Sequence, residues 1–225
     1  MPALLSLARE RTLPVAAALA PLLPPAALQR GQAIGCRGPA APSLALALAT
    51  EAVAAGAWAA AIDLPTIGLE AAAELGMPLE RFVRVDGGDR GEGGRDQRSA
   101  SGWADVVAAV LDGFEIVLLE PPAHVGAAVL RRIQERMQHR GAVLIIVGAT
   151  TMPVDLTIDA TTTEWEGAGQ GDGHLRARRL RAEATGRRVP RPRRVELWLP
   201  GPAGGVGTAA NPALPADDHR LRSVS

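Results

Sequence analysis

Gln32-Ala-Ile-Gly-Cys-Arg37 reads as a short strand, runs into Gly38-Pro39, and is followed by an alanine- and leucine-rich stretch from Ser43 to Ala55. Strand, glycine turn and helix in that order form the setting of a phosphate-binding loop, G-x-x-x-x-G-K-[ST]. Laid from Gly38, the pattern puts Ser43 at the second glycine, Leu44 at the lysine and Ala45 at the magnesium-ligating hydroxyl. Both the ammonium that would reach the β- and γ-phosphates and the hydroxyl that would hold magnesium are missing. The stretch predicts a nucleotide-binding architecture without nucleotide chemistry, and no cofactor is expected.

Working outward, Leu44, Leu46 and Leu48 alternate with period two, as a strand would. The length of the run, its alanines and the stop at Gly56 favour a buried helix instead, and Pro42 suits its first turn. Further strands are expected at Ala57–Asp63, Phe82–Val85, Ile116–Glu120 and Ala142–Val147, and helices at Thr66–Leu75, Trp103–Leu111 and Val125–Gln138. Gly87 to Ser101, rich in Gly, Arg and Asp, has no apolar period and reads as a mobile loop. Strands without helices follow at Val154–Thr161, Leu175–Glu183 and Arg194–Leu199. Repeated β-α units followed by a β-rich edge predict an α/β fold: a mostly parallel central sheet flanked by helices, with antiparallel strands added at the C-terminal edge. Residues 1–30 are expected to form a leader helix region, 31–200 the core and 201–225 a disordered tail.

At 225 residues and 47% apolar content, the chain can bury one α/β core and little more. It has no lysine, and all 24 of its basic residues are arginine. A GC-rich coding sequence accounts for that bias in general. It does not rescue the loop, because ATPases in biased genomes keep the lysines they need. Formal net charge is zero, so no whole-molecule field favours nucleic acid or a membrane. The single cysteine, Cys36, excludes an internal disulfide and reads as a buried strand residue. The apolar N-terminus is interrupted by Arg9, Glu10 and Arg11 and by Pro14, Pro21, Pro24 and Pro25, too often for a membrane span of ~20 residues. A cytoplasmic protein is the expectation.

The strongest positive feature is the stretch His174 to Arg194, which carries nine arginines, Arg176, Arg178, Arg179 and Arg181 among them, against one acid, Glu183. Arginine forks match phosphates and carboxylates, so the stretch could hold DNA or an acidic partner. The competing reading is the solvated face of an edge strand, since a charge run alone says little. With 3% aromatic residues there is no stacking platform for single strands, and any DNA contact would run through the backbone and be salt-sensitive. Four scattered histidines supply no metal-ligand spacing, and no nucleophile elbow or triad stands out. Asp63 and Glu120 fall at the carboxyl ends of expected strands, where ligands gather in open α/β sheets. Trp165 and Trp198 read as packing residues of the antiparallel edge or as interface anchors.

Several stretches together resemble the RecA-like ATPase core over roughly residues 25–200. They are Gly31-Gln-Ala-Ile-Gly-Cys-Arg-Gly38-Pro39, Ala61-Ile-Asp63, Gly102 to Gly113, Glu115-Ile-Val-Leu-Leu-Glu120, Gly141 to Gly148, and Trp165-Glu-Gly with the arginine-rich strand after it. Within that group the chain is similar to the actinobacterial ImuA-type accessory proteins of the damage-induced mutagenesis cassette. Against the RecA pattern, the loop and helix from Gly38 to Gly56 are about three residues short. Glu120 replaces the aspartate of the magnesium-site strand, and Trp103 falls where the pattern carries the glutamate that activates water. The connection Gly148 to Pro153 is too short for RecA's mobile DNA-binding loop. The resemblance implies a non-catalytic adaptor in error-prone translesion synthesis, linking a clamp-binding, Y-family-like polymerase subunit to a C-family error-prone polymerase, nucleoid-associated when assembled. Partner contacts are then expected at Arg131, Arg132 and Arg136 and at Arg176, Arg178, Arg179 and Arg181, with self-association along the edge where RecA protomers meet. A division inhibitor induced by damage, or a degenerate nucleotide- or DNA-binding protein, is the alternative that the resemblance leaves open.

Overall fold

The computed structural model describes residues 11–86, 100–168 and 173–209. Its first strands are Thr12–Leu13 (β1), Leu28–Gln29 (β2), Ala33–Arg37 (β3), Ala59–Ile62 (β4) and Phe82–Val85 (β5). Ile116–Leu119 (β6), Val143–Val147 (β7), Leu156–Ala168 (β8), Gly173–Gly186 (β9), Val189–Trp198 (β10) and Gly207–Thr208 (β11) follow. The α-helices are Ala41–Ala54 (α1), Leu69–Glu74 (α2), Ala100–Gly113 (α3) and Ala127–Arg140 (α4).

Strands β4, β6 and β7 are buried at every position, a pattern that requires cover on both faces of a sheet. They lie in a nine-stranded sheet of order β11-β10-β9-β8-β3-β7-β6-β4-β5. From β8 through β5 all neighbours are parallel, while β9, β10 and β11 add on antiparallel. Side chains alternate between two apolar clusters, as a pleated strand demands. Ile34, Cys36, Ile116, Leu118, Val143 and Ile145 pack on the side of α1. Val117, Leu119, Leu144 and Ile146 pack on the other side with residues of α3 and α4. The fold is therefore mixed α/β, a large and mostly parallel sheet between helices with an antiparallel C-terminal edge.

Helix α1 is the ambiguous leucine run. Ten of its 14 residues are buried, so it has no polar face and its period could not show in sequence. Helices α3 and α4 are amphipathic, with Leu130, Ile133 and Met137 buried on α4. Arg132 pairs with Asp105 at 3.2 Å, Arg136 Nε donates to Asp112 at 2.8 Å and Arg140 Nε to the same carboxylate at 2.9 Å. Arg136, hydrogen-bonded to Asp112, and Arg140 beside it hold the Asp112 carboxyl below the usual carboxylate range. A lowered folded pKa means that this contribution is present above the unfolded value of ~3.9 and is lost as pH falls through the folded one. Asp112→Asn should therefore be less stable than the native chain at pH 7. That difference should vanish on titration toward about pH 2. Urea midpoints across that range are the measurement, and a gap independent of pH would refute the assignment.

Two segments differ from expectation. Arg11 is helical, but residues 12–30 hold no α-helix: β1 pairs antiparallel with β2, and Ala20–Leu22 makes one 3-10 turn. Prolines at 14, 21, 24 and 25 deny the segment helical hydrogen bonds. It packs anyway, with Leu19, Leu22, Leu23 and Leu28 fully buried, and Arg193 of β10 donates to the Leu23 carbonyl at 3.1 Å. Residues 1–10 of the expected leader lie outside the described residues, as do 87–99 of the expected mobile loop and 210–225 of the expected tail. The start of that tail is ordered: Gly207 and Thr208 pair with Trp198 and Leu197, and Gly205 N–H donates to Glu74 O at 3.1 Å. Glycine-rich chain can close such turns because it tolerates positive φ, as at Gly204 and Gly205.

Candidate functional site: the carboxyl edge of the central strand

Strand β3 has α1 leaving toward one face, while β7, its parallel neighbour, is entered from α4 on the other. The carboxyl ends of β3 and β7 thus form a switch point, the place where open α/β sheets bind ligands. Gly38, Pro39 and Ala40 connect β3 to α1 there. Gly38 has φ +88°, and a Cβ on it would stand 2.3 Å from the carbonyl oxygen of Ala160 in β8. That glycine serves close approach of the loop to the neighbouring strand. Ala41 N–H closes the turn on Gly38 O at 3.1 Å, and Leu44 N–H bonds Ala40 O at 2.9 Å.

Leu44 and Ala45 are wholly buried, and Ser43 is half-buried. The position that the loop pattern gives to a phosphate-seeking ammonium therefore lies inside the α1 core. Pro39 is exposed but has no N–H to offer. Glu120, exposed just past β6, folds over β7, with Oε1 3.5 Å from where a Cβ on Gly148 would stand. Asp63, just past β4, adopts φ +51° and donates its N–H to Val85 O at 3.1 Å. Among the described residues no group of three His, Cys, Asp or Glu could hold a metal ion.

Trp103 does not join this edge. It lies in the first turn of α3, 1% exposed, in the cluster with Ile62, Leu119 and Leu130. Its indole nitrogen has no hydrogen-bond partner among the described residues. The position where the RecA pattern carries its water-activating glutamate is thus a core residue here, held by the large apolar area an indole buries. Cys36 is buried in β3, and desolvation pushes its thiol well up. The connection from β7 to β8 spans residues 148–155 and crosses the sheet on the α3/α4 side. Met152 is buried there, and Val154 rests about where a Cβ on Gly35 would meet it, at 3.7 Å.

The arginines divide. On β9 even-numbered side chains share the face of Leu180 and Ala182, and odd-numbered ones share the outer face. Arg178 is 9% exposed, donates from Nε to Leu199 O at 3.0 Å and lies 5.1 Å over the ring of Trp165. Desolvation lowers its pKa. Arg179 is half-buried between Glu196 at 2.7 Å and Glu164 at 3.8 Å. Both side chains are thus tied into the antiparallel edge, Arg178 by a carbonyl and a ring and Arg179 by two carboxylates. Arg132 and Arg136 bridge to α3 across the surface, with side chains 63% and 42% exposed. Arg176 and Arg181 are exposed, Arg181 keeping one bridge to Glu196 at 3.4 Å. Arg131 is exposed and has no ion-pair partner among the described residues.

Sequence reasoning missed the ribbon that carries them. Trp165 pairs with Arg178 across β8 and β9, past the last β3 pairing at Asp159 and the last β10 pairing at Arg179. The Leu199–Pro200 backbone still holds Arg178, whose N–H donates to Pro200 O at 3.1 Å and whose carbonyl accepts from Leu199 N–H at 2.8 Å, and beyond it β8 and β9 pair only with each other among the described residues. Trp165 is 49% exposed on this ribbon, whereas Trp198 is half-buried. The only signal was the Trp165-Glu-Gly stretch with the arginine-rich strand after it.

Among the described residues no helix is long and apolar enough to cross a membrane. The model of the MT3502 N-terminal domain family matches residues 21–153, more than half of the chain, and the protein belongs to that family. The matched stretch holds β3 to β7 and stops before β8 and the antiparallel strands that follow it. No curated protein matches.

Proposed function

We propose that this chain is a non-catalytic, RecA-like adaptor of damage-induced error-prone translesion synthesis. It bridges a clamp-binding, Y-family-like polymerase subunit and a C-family error-prone polymerase, in the cytoplasm and on the nucleoid once assembled. The reading rests on the resemblance of the chain to the ImuA-type accessory proteins, and fold likeness alone is an association. What supports it is the buried state of Leu44 and Ala45 beside a loop closed onto Ala160. A switch point built without a phosphate cradle supplies surface in place of chemistry.

The contact surface is the ribbon of β8 and β9, with exposed Trp165 and Arg176 on one face and Arg181 on the other. Exposed Trp and Arg are the side chains that dominate protein interfaces. Arg131 is a second exposed cation on the far helix layer. The test is co-purification of the full chain with both polymerase subunits. Arg176→Glu combined with Arg181→Glu should weaken assembly at least about tenfold, or ~1.4 kcal/mol, without lowering the melting temperature much. Undiminished assembly by that double variant, or no assembly by the native chain, would discard the adaptor role.

A further inference from the structure

The geometry points to a second ligand site, at the opposite end of the sheet, that takes a small anion carrying phosphate or pyrophosphate. A cleft of about 670 Å³ opens there, lined by Arg11, Thr12, Gln29, Arg30, His139 and Arg140, with Pro25, Gln138 and Gly141 completing it. Ligand sites commonly fall between about 300 and 1,000 Å³. Three guanidiniums and an imidazole line this one, and no carboxylate does among the described residues.

The arginines arrive from separate segments that backbone hydrogen bonds fix together. Arg30 N–H donates to Arg11 O at 2.9 Å, and Gly31 N–H to Ala142 O at 3.0 Å, tying the N-terminal ribbon to the end of α4. Basic residues in the last turn of α4 would be expected merely to complement its dipole. Arg11 is itself helical and directly precedes β1, so it too stands at a helix end, but Arg30 lies between β2 and β3 and belongs to none, so its convergence with the others needs another reason. Arg140 spends Nε on Asp112 at 2.9 Å and keeps its two terminal nitrogens. Arg30 binds Glu115 through one nitrogen at 2.6 Å. No Phe, Trp or Tyr lines the cleft and its cationic side chains outnumber any other kind, so the charged group itself is the recognised part. Arginine forks fit phosphate oxygens in pairs.

The site is independent of the adaptor role and of the Gly38 loop. Titrate the full chain with inorganic pyrophosphate by calorimetry in about 150 mM salt, where exposed charges are screened. Saturable binding is expected, weakened at least tenfold in Arg11→Gln combined with Arg140→Gln. Arg136→Gln, which also loses an Asp112 bond but lies outside the cleft, should bind as the native chain does. No saturable heat, or equal affinity in the double variant, would overturn the site. Displacement of pyrophosphate by a short DNA duplex at matched phosphate concentration would overturn the small-ligand assignment.

Discussion

Gly38→Ala should destabilise the folded chain by about 3 kcal/mol or more, a large share of the 5–15 kcal/mol that holds a typical domain together. Two costs add. A side chain at φ +88° is strained, by roughly 1–2 kcal/mol for a left-handed residue. The added methyl would also meet the Ala160 carbonyl at 2.3 Å, and both partners are backbone held in the sheet. Gly56→Ala isolates the first cost, since Gly56 has φ +107° and nothing within 4 Å of its added Cβ. Urea melts of the two variants therefore separate strain from collision. Equal losses would mean that loop and β8 do not approach as described.

Leu44→Lys should be at least as damaging, and it should not create a nucleotide site. Leu44 is wholly buried among apolar neighbours, so the ammonium would be taken from water without a partner. Even the neutral truncation of such a leucine costs about 2–5 kcal/mol, and an unpaired buried charge costs several kcal/mol. Leu44→Met, which conserves volume, should cost under ~1.5 kcal/mol. Thermal melts rank the three, and calorimetry with magnesium-ATP checks for binding. A Leu44→Lys chain that melts like the native one and binds ATP would overturn both the burial and the adaptor reading.

The parallel half of the fold was legible because its strands are continuous apolar runs and its helices stop at glycine. The strands Ala59–Ile62, Ile116–Leu119 and Val143–Val147 fall inside the stretches that sequence pattern alone predicts. Sequence also carried the missing lysine and hydroxyl, which need no geometry to be seen. Orientation was out of reach. Trp103 could be aligned to a catalytic position, but only packing shows that its indole points into the core. Arg178 and Arg179 are adjacent, so they sit on opposite faces of one strand, and the acids that claim Arg179, Glu164 and Glu196, come from two other strands. A charge run read along the chain cannot reveal partners supplied across the sheet. Between Thr12 and Arg30 the leucines promised burial, correctly, and helix, which the prolines there forbid.

The single thiol, Cys36, lies at 0% exposure in β3, flanked by β7 and β8. A thiol there is inert until its strand parts from its neighbours, because thiolate formation needs solvent. The molecule thus carries a native probe of its most deeply held strand. Alkylation kinetics would time the rupture of the sheet at its centre, with no introduced label and no second cysteine to confuse the signal.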